Sequence, residues 1–413
     1  MSKLPSRLQP FWPVAKRVHR LLTLLVGVVG RALRPLAGAR AVPRGAVATV
    51  GEWAARPEDG VLVHGWRPPT PLGRTPPPGE PSAHWVFSRA DRTVAPATFC
   101  LEVSDGTVVG GTGAVVSRSG LLDVETSPYF GTSTWREHPL FLRGRLPPVT
   151  RVPGDVLVLA TRGSANYYHF LTDVLPRIGD YLERVPGADP EVTLLVPQER
   201  AWQRTLLEIA GYGHLPTVPD DPAVSVRAER VFAPSVPNVL EVAPEPVVSW
   251  VREHLRPSVD ADPTPRRLYV TRGAVPNTRR VVREDELREG LLARGFEVVE
   301  PGSLSPQEQI DTFSAAEMVV GPHGAALTNL LFAPAGVTVL ELFTAAYVNQ
   351  CYWSISCGIP EAHYEYLVDG DVTRHGDGSA MNAILADIAV DPSRVLAVVD
   401  RLLAERHGVR PGG

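Results

Sequence analysis

Several stretches of this 413-residue sequence combine residue types that do chemistry. In Asn166-Tyr167-Tyr168-His169-Phe170-Leu171-Thr172-Asp173, a histidine and a carboxylate stand four residues apart, which on a helix puts both side chains on one face. Histidine titrates near neutrality, and an adjacent carboxylate can orient it or share its proton, so His169 and Asp173 are candidate general bases. A helix-surface ion pair is the plainer reading of that spacing, and two such groups are too few for a metal site. The run Gly321-Pro322-His323-Gly324-Ala325-Ala326-Leu327-Thr328-Asn329 is rich in small residues. Placed between a strand and a helix, it lets backbone N–H groups approach a phosphate, with His323 as a further donor. Ordinary Gly-Pro turn chemistry is the alternative. Arg272, Arg279 and Arg280, in TRGAVPNTRR, offer planar forks suited to a diphosphate, or simply a solvated loop. Glu341, in VLEL, stands one short unit beyond the glycine turn, where a carboxylate can accept a ribose hydroxyl. The pairs Asp260/Asp262 and Asp369/Asp371 have the spacing of divalent-ion ligands but lie in turn-rich sequence and read as turns.

These groups need elements to hold them. From Val61 to Val149 short apolar runs alternate with Pro and Gly, which predicts hairpins and loops. Gly111-Thr112-Gly113 is not a dinucleotide fingerprint, because Val116 stands where its third glycine belongs. From Asp155 strand patterns alternate with helical ones: VLVLA, a helix over 167–183, VTLLV at 192–196 and a helix over 199–210. A proline-rich linker, 256–265, separates this from a second series. That series has strands at 267–270, 296–299, 318–320 and 337–342, helices over 284–294 and 306–316, and a helix near Leu327 after the glycine turn. Strand alternating with helix predicts parallel, doubly wound sheets, and two such halves predict a cleft between them. The resulting division is a basic arm (1–50), an N-terminal domain (51–255; β-rich over 61–150, α/β over 155–255), the linker, a second α/β domain (266–376) and C-terminal helices (377–413), including an apolar-striped one over 392–405.

Composition bounds the rest. Hydrophobic residues make up 44% and charged residues 21%, enough to bury real cores. All but two of the 41 basic residues are arginine, a bias expected of a GC-rich coding sequence. Residues 1–50 hold nine Lys or Arg and no acid, which leaves the body at −13 out of a total of −4. An acidic body carries no nucleic-acid footprint, whereas the arm suits anionic lipid. Its run LLTLLVGVVG (21–30) is half the length a spanning helix needs, so residues 16–34 read as a peripheral membrane contact, with a secretory signal or a plain disordered or packed tail as the alternatives. Three cysteines without a CxxC fit a reducing, cytoplasmic setting, at the inner face of a membrane if the arm docks.

Taken in order, NYYHFLTDVLPRI, TRGAVPNTRR with Glu284, GPHGAALTNLLFAP and VLELF resemble glycosyltransferase family 61, whose bacterial members are often labelled capsular polysaccharide biosynthesis proteins. The resemblance runs from Val156 to Phe343. It implies a GT-B-like fold, two Rossmann-like α/β domains facing a cleft, and an inverting transfer with no cofactor and no obligatory metal. It also implies a nucleotide-sugar donor, usually a UDP-sugar, and a glycan or lipid-linked acceptor. It assigns His169 and Asp173 to the acceptor side, and Arg272, Arg279, Arg280, Gly321, His323, Gly324, Ala325, Thr328, Asn329 and Glu341 to the donor nucleotide. Relatives often carry Glu at the Asp173 position, and the shorter carboxylate gives His169 more weight as base. Rival readings are a polysaccharide pyruvyltransferase, which would release inorganic phosphate, and a non-catalytic nucleotide- or glycan-binding lobe of an assembly complex.

Overall fold

The computed structural model describes residues 12–129, 134–161, 163–238, 241–273, 279–370 and 386–406. Residues 1–11 of the arm, 377–385 and 407–413 of the C-terminal segment, and Asp371 lie outside them.

The chain builds a mixed α/β structure around three six-stranded sheets. In the first α/β sheet the strands run in the order Thr217–Pro219, Thr193–Val196, Asp155–Val158, Arg230–Pro234, Thr98–Ser104 and Val61–Arg67. The first four are parallel, and Thr98–Ser104 runs antiparallel to its neighbours on both sides. Strands Asp155–Val158 and Thr193–Val196 carry continuous apolar runs because helices and a second sheet cover their two faces. In the second α/β sheet the order is Phe296–Val299, Arg266–Val270, Ala316–Pro322, Thr338–Phe343, His363–Val368 and Gly79–Glu80, all parallel. The third sheet gathers short strands from 45–47, 107–109, 114–116, 121–123, 149–151 and 225–227.

The two α/β halves share one core. Phe87, on helix Trp85–Asp91, packs edge-on against Phe343, Trp353 and Tyr364 and against Tyr366, and Gly79–Glu80 extends the second sheet. Residues 79–91 therefore belong spatially to the second half, although the sequence groups them with the hairpins before Val149. Edge pairing and aromatic burial draw them there, neither of which has a local signature. The β-rich stretch is likewise divided: 61–67 and 98–104 finish the first α/β sheet, and the other short strands form the third. Two elements without a clear sequence pattern, Glu245–His254 and Cys351–Ser356, are helices. The glycine turn leads into a tight 3₁₀ helix, Ala325–Phe332, rather than an α-helix.

Candidate active site

Each α/β sheet opens a cavity where its strand order reverses, the place where open parallel sheets leave a crevice at their carboxyl ends. In the first sheet the reversal falls between Asp155–Val158 and Arg230–Pro234. A cavity of about 610 Å³ lies there, bounded by Gly163, His169 and Asp173 on one side and Ser235 and Asn238 on the other. In the second it falls between Arg266–Val270 and Ala316–Pro322, beside a cavity of about 740 Å³ bounded by Thr271, Arg272, Pro322 and Gly324. Each cavity borrows wall from the other half: Val348, Asn349 and Gln350 close the first, Tyr167 and Trp202 the second.

His169 and Asp173 are brought together as their spacing predicts, by more than an ordinary helix. Asn166 caps the helix by accepting the Tyr168 N–H at 2.9 Å, and the turn Phe170–Val174 is then widened to a π-helical one, a feature frequent at functional sites. His169 Nδ1 and Asp173 Oδ2 lie 2.6 Å apart. The Thr172 hydroxyl, itself bound by Asn238 Nδ2 at 3.1 Å, steadies the other carboxylate oxygen. A Cβ at Gly163 would stand 2.9 Å from the imidazole, so that glycine leaves the room the ring occupies. Nδ1 is thus committed to Asp173, and Nε2, with no hydrogen-bond partner among the described residues, is the nitrogen available for proton transfer. Burial works against the charged imidazole, but the Asp173 hydrogen bond and the charges of Asp173 and Glu241 outweigh it, and His169 titrates above the usual histidine value. Glu241, in the same cavity, holds a left-handed backbone conformation (φ 56°), and its carboxylate accepts from Asn349 Nδ2.

The helix continues into Arg177, whose fully buried guanidinium ties together the carbonyls of Val158, Leu159, Asp173 and Pro234. It staples the dyad's helix to the ends of the two strands that frame the cavity. Burial lowers its pKa to about 10, still far above neutrality.

On the other side, Arg272 Nη1 donates to the His323 carbonyl at 2.8 Å, and a Cβ at Gly324 would fall on that guanidinium. The glycine is what allows the cation to lie across the turn. Burial and the neighbouring Arg279 both depress the Arg272 pKa. Arg279 sits 5.0 Å from the Tyr347 ring centroid. Neither arginine forms an ion pair with a carboxylate among the described residues. Tyr347 continues the path: its hydroxyl meets Asn349 Nδ2 at 3.3 Å, and Asn349 lines the His169 cavity. The arginine pair therefore stands between the two cavities.

The remaining sequence candidates are placed differently. Glu341 has no exposed surface: parallel pairing sets it beside Gly321, where it meets His323 Nδ1 at 2.5 Å and accepts from the Tyr364 hydroxyl. Burial pushes the Glu341 carboxyl well above the usual carboxylate range and pushes His323 well below the histidine range, the latter helped by Arg279 and Arg272. His323 Nε2 has no partner among the described residues. Asn329 is fully buried and joins the halves, accepting from the Tyr167 hydroxyl at 2.9 Å and donating to Gln309 Oε1 at 2.9 Å. Thr328 is buried against Tyr352, and Gly321 packs on Val270. Of the small residues, Gly324, Ala325 and Ala326 face the larger cavity. Arg280 is exposed and anchors its own loop through its N–H to Asp387. Asp262 caps a turn at Thr264, and Asp369 accepts from Ala345 and Ala389 N–H groups. Among the described residues no group of three or more His, Cys, Asp or Glu is disposed to hold a metal.

Sequence reasoning does not single out Gly163, Trp202, Asn238, Glu241 or Tyr347. Only Gly163, a glycine just past a buried strand, carries a local signal. No curated protein matches this chain. Residues 167–340, which run from the dyad's helix through the arginines and the glycine turn to the strand of Glu341, match the family model Glycosyltransferase 61. Over that segment the chain is similar to glycosyltransferase family 61.

Proposed function

We propose that the protein is an inverting glycosyltransferase of GT-B arrangement that moves a sugar from a nucleotide diphosphate, a UDP-sugar by family analogy, to a hydroxyl of a glycan or lipid-linked acceptor in surface-polysaccharide synthesis. The observation that carries this reading is the His169–Asp173 pair: a histidine with one nitrogen fixed by a carboxylate and the other available in a cavity at a sheet's switch point. The nucleoside occupies the cavity beside Thr271 and Gly324, the diphosphate lies across Arg272 and Arg279, and the sugar extends past Tyr347 toward His169. The acceptor hydroxyl gives its proton to His169 Nε2 and its oxygen attacks the anomeric carbon. The bond to the diphosphate oxygen breaks on the opposite face, and the leaving group carries off the electron pair. Two arginines without carboxylate partners among the described residues are suited to the charge that develops there. His323, beside both arginines, is positioned to donate Nε2–H to the same phosphates when Nδ1 accepts from a protonated Glu341.

The test is release of nucleoside diphosphate from UDP-sugars in the presence of chelator, with thermal-shift screening against UDP, NAD and phosphoenolpyruvate. UDP alone is expected to stabilise the protein, and His169→Ala to abolish turnover while sparing the UDP shift. Release of inorganic phosphate, with stabilisation by phosphoenolpyruvate, would instead identify a pyruvyltransferase.

A further inference from the structure

The N-terminal helix Trp12–Ala32 lines neither cavity. A Cβ at Gly27 would fall on the Phe141 carbonyl oxygen, and one at Gly30 would stand 2.5 Å from the Arg143 carbonyl. These two glycines are the face by which the helix seats directly on backbone of the body. The rest of its surface is unusual. Val18, Leu21, Leu22, Leu25, Val26, Val28 and Val29 are 45–68% exposed. At 100° per residue these seven fall within an arc of about 160°, centred nearly opposite the two glycines. Beyond a bend of 74° the apolar surface continues through Leu33 and Leu36, the latter 84% exposed. A contiguous apolar face of this kind marks an interaction site in a folded protein.

Charge selects the occupant. Lys16, Arg17 and Arg20 precede the leucine-rich part and Arg31 and Arg34 follow it, and residues 1–50 contain no acid. A second copy would bring two such cationic helices against each other, whereas an anionic bilayer complements them. The glycine face is closed by protein, so lipid reaches one side only, and no single helix among the described residues is long and apolar enough to cross a membrane. We infer that Trp12–Ala32 is a monotopic anchor: it lies in the plane of an anionic membrane surface with Leu21, Leu22 and Leu25 in the acyl boundary and its glycine face holding the body on the leaflet. This inference is independent of the glycosyltransferase reading.

The experiment uses the full chain and co-flotation with two vesicle populations, phosphatidylcholine alone and phosphatidylcholine with about one-third phosphatidylglycerol. The protein is expected to float with the anionic vesicles, and less so as salt rises. The variant Leu21→Gln/Leu22→Gln/Leu25→Gln alters only outward side chains, so its melting temperature should match the parent while vesicle binding falls at least tenfold. Arg17→Glu should weaken binding to anionic vesicles alone. Failure of the parent to float, or equal flotation of the leucine variant, would overturn the inference. So would light scattering that shows a dimer without vesicles, converted to monomer by the leucine substitutions, since a second copy would then be the occupant.

Discussion

Glu341→Gln tests how the buried His323–Glu341 pair holds its proton. Both side chains lie out of water, with Glu341 raised from its ordinary 4.5 and His323 lowered from 6.5. The folded pair therefore carries one proton between two sites over a wide pH range. The unfolded chain carries two protons below about 4.5, one between about 4.5 and 6.5, and none above. Stability tracks the difference in bound protons. The pair's contribution is flat from about 4.5 to 6.5 and declines below, where the unfolded state binds more. It declines again above, by about 1.4 kcal/mol per pH unit, until folded Glu341 ionises. Glutamine reproduces the protonated carboxyl: its oxygen accepts from Tyr364 and its NH₂ donates to His323 Nδ1. It cannot ionise, so the variant should gain on wild type by about 1.4 kcal/mol for each pH unit above about 4.5. Glu341→Ala, in contrast, orphans two buried groups and should cost about 2–6 kcal/mol at any pH. Urea unfolding at a series of pH values measures all three proteins. A Glu341→Gln penalty as large as that of alanine, and independent of pH, would show that Glu341 is held as a carboxylate accepting from both neighbours and would refute the reasoning.

Four further outcomes are expected. Asp173→Asn removes the charge that lifts His169, so the alkaline rise in the transferase pH–rate profile, set above the usual histidine value in wild type, should move to lower pH, with turnover reduced about 10²–10⁴-fold; an unmoved profile would exclude His169 as the base. His169 also contributes stability that is present below its unfolded value of 6.5 and lost as pH rises through its higher folded value, and Asp173→Asn should flatten that dependence in denaturation curves. Asn329→Ala cuts the bonds to Tyr167 and Gln309 and leaves their buried polar groups unpaired, for a loss of about 2–4 kcal/mol by chemical denaturation. Gly163→Ala forces its Cβ against the imidazole and should lower turnover at least tenfold while leaving UDP affinity unchanged, as read by parallel activity and calorimetric titrations.

Much of the α/β framework is legible in local sequence patterns. The helix expected over 306–316 forms as Pro306–Ser314 because Ser305 and Glu308 make a reciprocal capping box, and FEVV forms a strand at 296–299 as its pattern predicts. The dyad is legible for the same reason: four residues on one helix face is a local relation. Asn329 and Glu341 show the limit. Both are polar residues in a segment that the family resemblance assigns to donor binding, yet one crosses to Tyr167, 162 positions away, and the other turns inward to His323 and Tyr364. No local spacing records which face of a parallel strand looks into a cavity. That is set by which strands become its neighbours.

The sequence by itself determined the alternation of strand and helix, the family likeness of residues 167–340, the pairing of His169 with Asp173 and the cationic, apolar character of the arm, because each rests on contacts within a few residues or on composition. The tertiary structure decided the rest: that the two strand reversals open separate cavities, that Arg272 and Arg279 stand between them without carboxylate partners among the described residues, that residues 79–91 complete the second half, and that the arm's glycines face inward while its leucines face out. The physical reason is that burial and pairing are properties of the whole packed chain, and a side chain's chemistry depends on what burial leaves it to touch.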